Sequence, residues 1–66
     1  MKAEEKLRQV YPDAYLWGGW VYRTKEAARL GLHAERINDH RDMRDRSAWA
    51  DAWRRIKEAK GEGRNG

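Results

Sequence analysis

Four rings, Tyr15, Trp17, Trp20 and Tyr22, fall in one short stretch of the chain, followed at once by Arg23 and Lys25. Flat aromatic faces can stack on nucleic-acid bases while nearby cations meet phosphate. Trp, Tyr and Arg are also the residue types that dominate protein–protein hot spots. The same rings could equally be the core of the fold, so three uses compete for one set of side chains.

Two further groupings could carry chemistry. His33, Asp39, His40, Asp42 and Asp45 include metal-ligating and acid–base types, but the His-Glu-x-x-His spacing is absent and there is no Cys. They read as solvated surface groups, and no cofactor or metal is expected. Arg54, Arg55, Lys57, Lys60 and Arg64 make a basic C-terminal end, diluted by Glu58 and Glu62. Such a cluster could give salt-dependent, sequence-independent affinity for nucleic acid. It could also simply compensate the helix dipole.

The elements that must position these residues follow from spacing. Ala3, Leu7, Val10 and Tyr11 recur at helical intervals, so Lys2 to Tyr11 is predicted as a helix that Pro12 stops. Glu4 and Arg8 form a favourable i,i+4 pair. Gly18-Gly19 lies between two β-prone runs, and a tight hairpin turn needs positive φ at both central positions. That register sets Trp17 opposite Trp20, Leu16 opposite Val21 and Tyr15 opposite Tyr22. The four rings then share one face, while Ala14, Leu16, Val21 and Arg23 share the other. An isolated hairpin is marginal, so a helix must cover it.

Thr24 is the expected N-cap of a middle helical segment. Two continuations are open: the helix runs through Gly31, or it breaks there. Asn38 to Arg46 reads as a polar loop. Ser47 to Lys60 is predicted as an amphipathic helix with Trp49, Ala52, Trp53, Ile56 and Ala59 on one stripe, and with Asp51 and Arg55 paired. Trp49 and Trp53 are expected to pack on one face of the hairpin. Residues 61–66, with three glycines, are expected to be a flexible tail. The architecture is therefore α+β: an N-terminal helix, a two-stranded antiparallel aromatic hairpin, a middle helical segment and an amphipathic C-terminal helix, all in a single domain over residues 1–60.

Composition narrows the function classes. The 66 residues hold eight Leu, Ile and Val, no Phe and no Cys, and 39% are charged. A second domain does not fit this length. No stretch approaches the roughly 20 apolar residues of a membrane span, so no membrane partner is expected. Met1 to Tyr11 is too charged for a secretory signal. The absence of Cys fits a reducing cytoplasm. A small core seldom supports a catalytic pocket and its rigid shell, so the chain reads as a binding protein rather than an enzyme. The net charge of +4, with ten Arg among fifteen bases, favours nucleic acid or an acidic protein surface as partner.

Thr24 to Leu32 followed by Ile37 resembles a helix-turn-helix, with Ala27 at the helix crossing and Gly31 at the turn. That resemblance, over residues 24–38, implies a DNA-binding regulator with His33, Glu35, Arg36 and Asn38 facing the major groove. Glu26 and His40 stand where the motif buries apolar residues. A second resemblance rests on Tyr11-Pro12-Asp13-Ala14 and on Ala48-Trp49-Ala50-Asp51-Ala52-Trp53-Arg54-Arg55-Ile56. These stretches look like small uncharacterised bacteriophage accessory proteins, which pair an N-terminal helix ending in Pro-Asp-Ala with strands and a closing Ala-Trp-x-Asp-Ala helix. The resemblance implies an inhibitor of host machinery, as the anti-CRISPR proteins are, acting in the cytoplasm of a bacterial host on a protein or nucleoprotein complex. It lends no catalytic residues. On the residues themselves, the expected contacts are Trp17, Trp20 and Tyr22 as anchors and Arg23, Arg36, Arg41, Arg44, Arg54 and Arg55 as charge-assisted partners.

Overall fold

A computed structural model describes residues 2–59 of the chain. The expected tail at 61–66, and the bases Lys60 and Arg64, lie outside the described residues. The fold is α+β, with helices packed on a two-stranded antiparallel hairpin.

Helix α1 spans Ala3–Val10. The Lys2 backbone N–H donates to Glu5 Oε1 at 3.1 Å, which closes the first turn, and Arg8 meets Glu4 at 3.1 Å as the spacing predicted. The hairpin strands are β1, Tyr15–Trp17, and β2, Trp20–Tyr22. Their register is the expected one, Tyr15 to Tyr22, Leu16 to Val21 and Trp17 to Trp20. Gly18 and Gly19 carry it with φ of 59° and 84°.

Helix α2 is short, Lys25–Leu30. Thr24 Oγ1 accepts from the Ala27 N–H at 3.1 Å, so Thr24 is the N-cap. Gly31 settles the open question of the middle segment. It adopts φ 66° and ends the helix in a left-handed cap, and the Leu32 N–H returns to the Ala27 carbonyl. His33–Glu35 is one 3-10 turn, and Arg36 is extended. The second helix that a helix-turn-helix requires does not form.

Instead, the chain after this turn runs beside β2. The Arg23 N–H donates to the Glu35 carbonyl, the Ile37 N–H donates to the Val21 carbonyl, and Tyr22 and Arg36 form an antiparallel bridge. Asn38 is nearly fully buried. Its Oδ1 accepts from the Val21 N–H at 3.0 Å, and its Nδ2 donates to the carbonyls of Gly19 and His40.

Helix α3 spans Asp45–Ala59, starting two residues before the predicted Ser47. Its buried stripe is Ala48, Trp49, Ala52 and Ile56; Trp53 is half-buried and Ala59 exposed. The stripe is thus turned toward Ala48 relative to expectation, because α1 packs against that side. The core unites Leu7, Ala14, Val21, Ile37, Trp49 and Ile56, so α1 and α3 close the aliphatic face of the hairpin. Helix α2 lies over the aromatic face, where Ala27 and Ala28 pack on Tyr22, flanked by Tyr15 and Trp20. Among the described residues no helix is long and apolar enough to cross a membrane.

Candidate protein-contact surface

The hairpin turn is held by a loop that crosses it. The Asp42 N–H donates to the Gly19 carbonyl at 3.0 Å, and Arg41 Nε donates to the Gly18 carbonyl at 2.9 Å. This crossing is close. A Cβ on Gly19 would stand 2.9 Å from Arg41 Cγ and 3.0 Å from the Asp42 carbonyl oxygen, so glycine is needed there for space as well as for φ. Asp42 in turn accepts from the Arg44 backbone N–H at 2.9 Å and from its guanidinium at 3.3 Å. These hydrogen bonds, first from the backbone and then from the side chain, hold the Asp42 carboxyl below the usual carboxylate range.

Three large side chains stand out around this end. Trp17 is 61% exposed, Met43 67%, and the Arg44 side chain 82%. The Trp17 ring stacks against Tyr15 with centroids 6.4 Å apart. Trp20 is half-buried because Arg36 lies over it, its guanidinium carbon 4.1 Å from the ring centroid. Arg36 Nε also donates to the Tyr22 hydroxyl at 3.3 Å. Arg36 therefore works as a lid on two rings rather than as a free cation.

The nine side chains expected to make contacts are divided among four places. Trp17, Trp20, Arg36, Arg41 and Arg44 gather around the hairpin and its crossing loop. Tyr22 is a correction: it is 3% exposed, packed under α2, and supports the face without presenting a ring. Arg23 lies at the far end of β2, 3.7 Å from Glu35 and over the Tyr11 ring.

Arg54 and Arg55 lie on α3, and they are occupied. Arg54 bridges Asp51, Glu58 and Asp39, while Arg55 takes Asp39 at 3.0 Å. The predicted Asp51–Arg55 pair is replaced by these contacts, because Asp51 also turns to the loop. Its Oδ2 accepts from the backbone N–H groups of Asp39 and His40 at 2.9 and 3.2 Å. Partial burial pushes the Asp51 carboxyl upward, but the Arg54 and backbone hydrogen bonds outweigh it and hold the group below its ordinary value. Hydrogen bonds to Asp51 and Glu58 push the Arg54 guanidinium still higher than its ordinary value.

Among the described residues, no three His, Asp or Glu side chains converge to hold a metal ion. Glu35 faces Arg23 and Asn38 is internal, so neither can read a groove. Asn38, expected in a polar loop or facing a groove, is instead a buried residue that holds the turn in place. Its polar neighbours Asp39 and His40 disguised it as loop, and only its distant partners reveal its role. Leu30 and Leu32, 71% and 44% exposed, stand outside the core. No family model, curated protein or solved structure matches the chain.

Proposed function

We propose that the chain is a small non-enzymatic binding protein of the phage accessory type, which blocks a host protein or nucleoprotein complex by occupying one of its surfaces. The observation that carries this reading is Trp17, 61% exposed on a turn that Asn38, Arg41 and Asp42 hold in place. A large ring left in water contributes little to folding. Covering its free surface in a complex would stabilise that complex by on the order of 2–4 kcal/mol. Because the turn is tied down at several points, little ordering cost is left to bind it. Arg41, Met43 and Arg44 lie on the loop that crosses the adjoining turn and offer charge-assisted and adaptable contacts. The site of action would be the cytoplasm of a bacterial host.

The experiment is affinity capture from host lysate, with and without nuclease. The wild-type chain should retain a discrete protein or nucleoprotein complex, and Trp17→Ala should lose it. Lys57→Ala, on the solvent face of α3, should behave as wild type. Capture that nuclease abolishes would assign the contact to nucleic acid instead. Equal capture by Trp17→Ala would sink the reading.

A further inference from the structure

The hydrogen-bond pattern of the hairpin fixes which backbone groups point outward. On β2, the Val21 carbonyl accepts from the Ile37 N–H at 2.7 Å, and the Val21 N–H donates to Asn38 Oδ1 at 3.0 Å. Val21 therefore aims both groups away from β1. In an antiparallel ladder its cross-strand partner must do the same on the other side. That partner is Leu16. Its N–H and C=O point out from the free edge of β1, and neither finds a partner among the described residues. One edge of the ribbon is thus capped by Ile37 and Asn38, and the other is open.

Two hollows that share Tyr15 and Arg29 lie beside the residues that flank Leu16. A hollow of about 280 Å³ is lined by Tyr15, Trp17, Ala28 and Arg29. A cleft of about 780 Å³ extends from Tyr15 and Arg29 toward Pro12 and Arg8. Lys25 and Arg29 border this side, with Arg41 at the turn and Arg8 already paired with Glu4; Asp13 and Glu26 are the acids there. Lys25 and Arg29 form no ion pair among the described residues. Lys25 lies only over the Tyr15 ring, at 5.8 Å.

We propose that the β1 edge takes up an extended, acidic segment of the partner protein as an added strand, with Leu16 supplying the backbone bonds and Trp17 the side-chain anchor. Unpaired outward N–H and C=O groups select an extended backbone. The surrounding cations select negative charge along it. A second copy of this chain is disfavoured as the occupant. Each copy carries +4, and a two-fold pairing through Leu16 would bring both sets of Lys25, Arg29 and Arg41 together. This inference rests on the binding reading above and names the chemistry of the partner.

The test uses a blocked six-residue peptide of alternating Glu and Val. Its controls are the same peptide N-methylated on two adjacent central residues, which blocks both of its edges, and a Lys-for-Glu version. Amide exchange at Leu16 and tryptophan fluorescence are read together. The Glu-Val peptide should bind saturably and slow Leu16 exchange by about tenfold or more. Both control peptides, and Trp17→Ser with its fold intact by circular dichroism, should weaken binding by about tenfold or more. Unchanged Leu16 exchange, equal binding of the N-methylated or Lys peptide, or a peptide-free dimer that already protects Leu16 would each overturn the proposal. Failure here can be told apart from failure of the binding reading. If the peptide leaves Leu16 untouched while Trp17→Ser still loses the host complex, strand addition is wrong and the contact surface stands. If Trp17→Ser captures as wild type does, the contact surface itself is wrong.

Discussion

The two faces of the hairpin are covered by different chemistry. On one, Ala14 and Val21 disappear under Leu7, Trp49, Ala52 and Ile56, a close-packed set drawn from α1 and α3. On the other, a six-residue helix and one guanidinium cover the rings, leaving Tyr15 and Trp20 half-buried and Trp17 outside. The first face supplies the bulk of apolar burial that a chain of this size requires. The second has rings to spare. A side chain that the core does not need can be spent on a partner, which is why contact is assigned to the aromatic face.

The contrast can be broken by mutation, most severely on the aliphatic side. Trp49→Ala removes a core ring and should cost about 3–5 kcal/mol. That approaches the whole stability of a small domain, so circular dichroism should show a largely unfolded chain at 25 °C. A folded Trp49→Ala would mean that the two faces are not so different.

Asn38→Ala comes next. It leaves the Val21 N–H and the Gly19 carbonyl without their side-chain partner in a buried place, at about 2–3 kcal/mol, read as a lower urea midpoint. It should also loosen the turn, with faster amide exchange at Asp42. Arg36→Ala, on the aromatic face, should cost only about 1–2 kcal/mol, the sum of a stacked cation and lost packing, and should raise the solvent exposure of Trp20 fluorescence.

Acid should act through the loop rather than through either face. Asp51 and Asp42 are held below their ordinary values, so the folded state releases protons that the unfolded state would keep. Their contribution is complete above about pH 5, where an unfolded Asp is almost fully ionised, and is lost as pH falls through the lower folded values. Urea midpoints between pH 5 and 2 should decline, and Asp51→Asn should flatten part of that decline. At neutral pH the Asp51→Asn cost should be about 1 kcal/mol, since the amide oxygen can still accept from Asp39 and His40 while the pairing with Arg54 is lost.

How far these features could be read from the sequence depended on the range of the forces involved. The hairpin register was legible because Gly18-Gly19 sets it locally. The Thr24 cap and the Glu4–Arg8 pair are local as well. Helix α3 was legible as an element, yet its buried stripe was misjudged, since Ala48 and Ala59 are alike in sequence and only the placement of α1 separates them. The path of Arg36, Ile37 and Asn38 beside β2 was not legible. Its hydrogen bonds to the hairpin join residues 14 to 19 positions apart, and the polar side chains on either side of Ile37 look solvated in sequence. The site was half legible for the same reason. Trp17 and Tyr22 are both hairpin aromatics in sequence, and the packing of α2 alone makes one exposed and the other core.

That Trp17 is contact rather than core is tested by the urea midpoint of Trp17→Ala measured beside its capture of the proposed partner from host lysate. The expected midpoint shift is no more than about 0.5 kcal/mol in equivalent stability, with capture lost. A Trp17→Ala chain that unfolds as Trp49→Ala should, or one that keeps its fold and its capture, would contradict it.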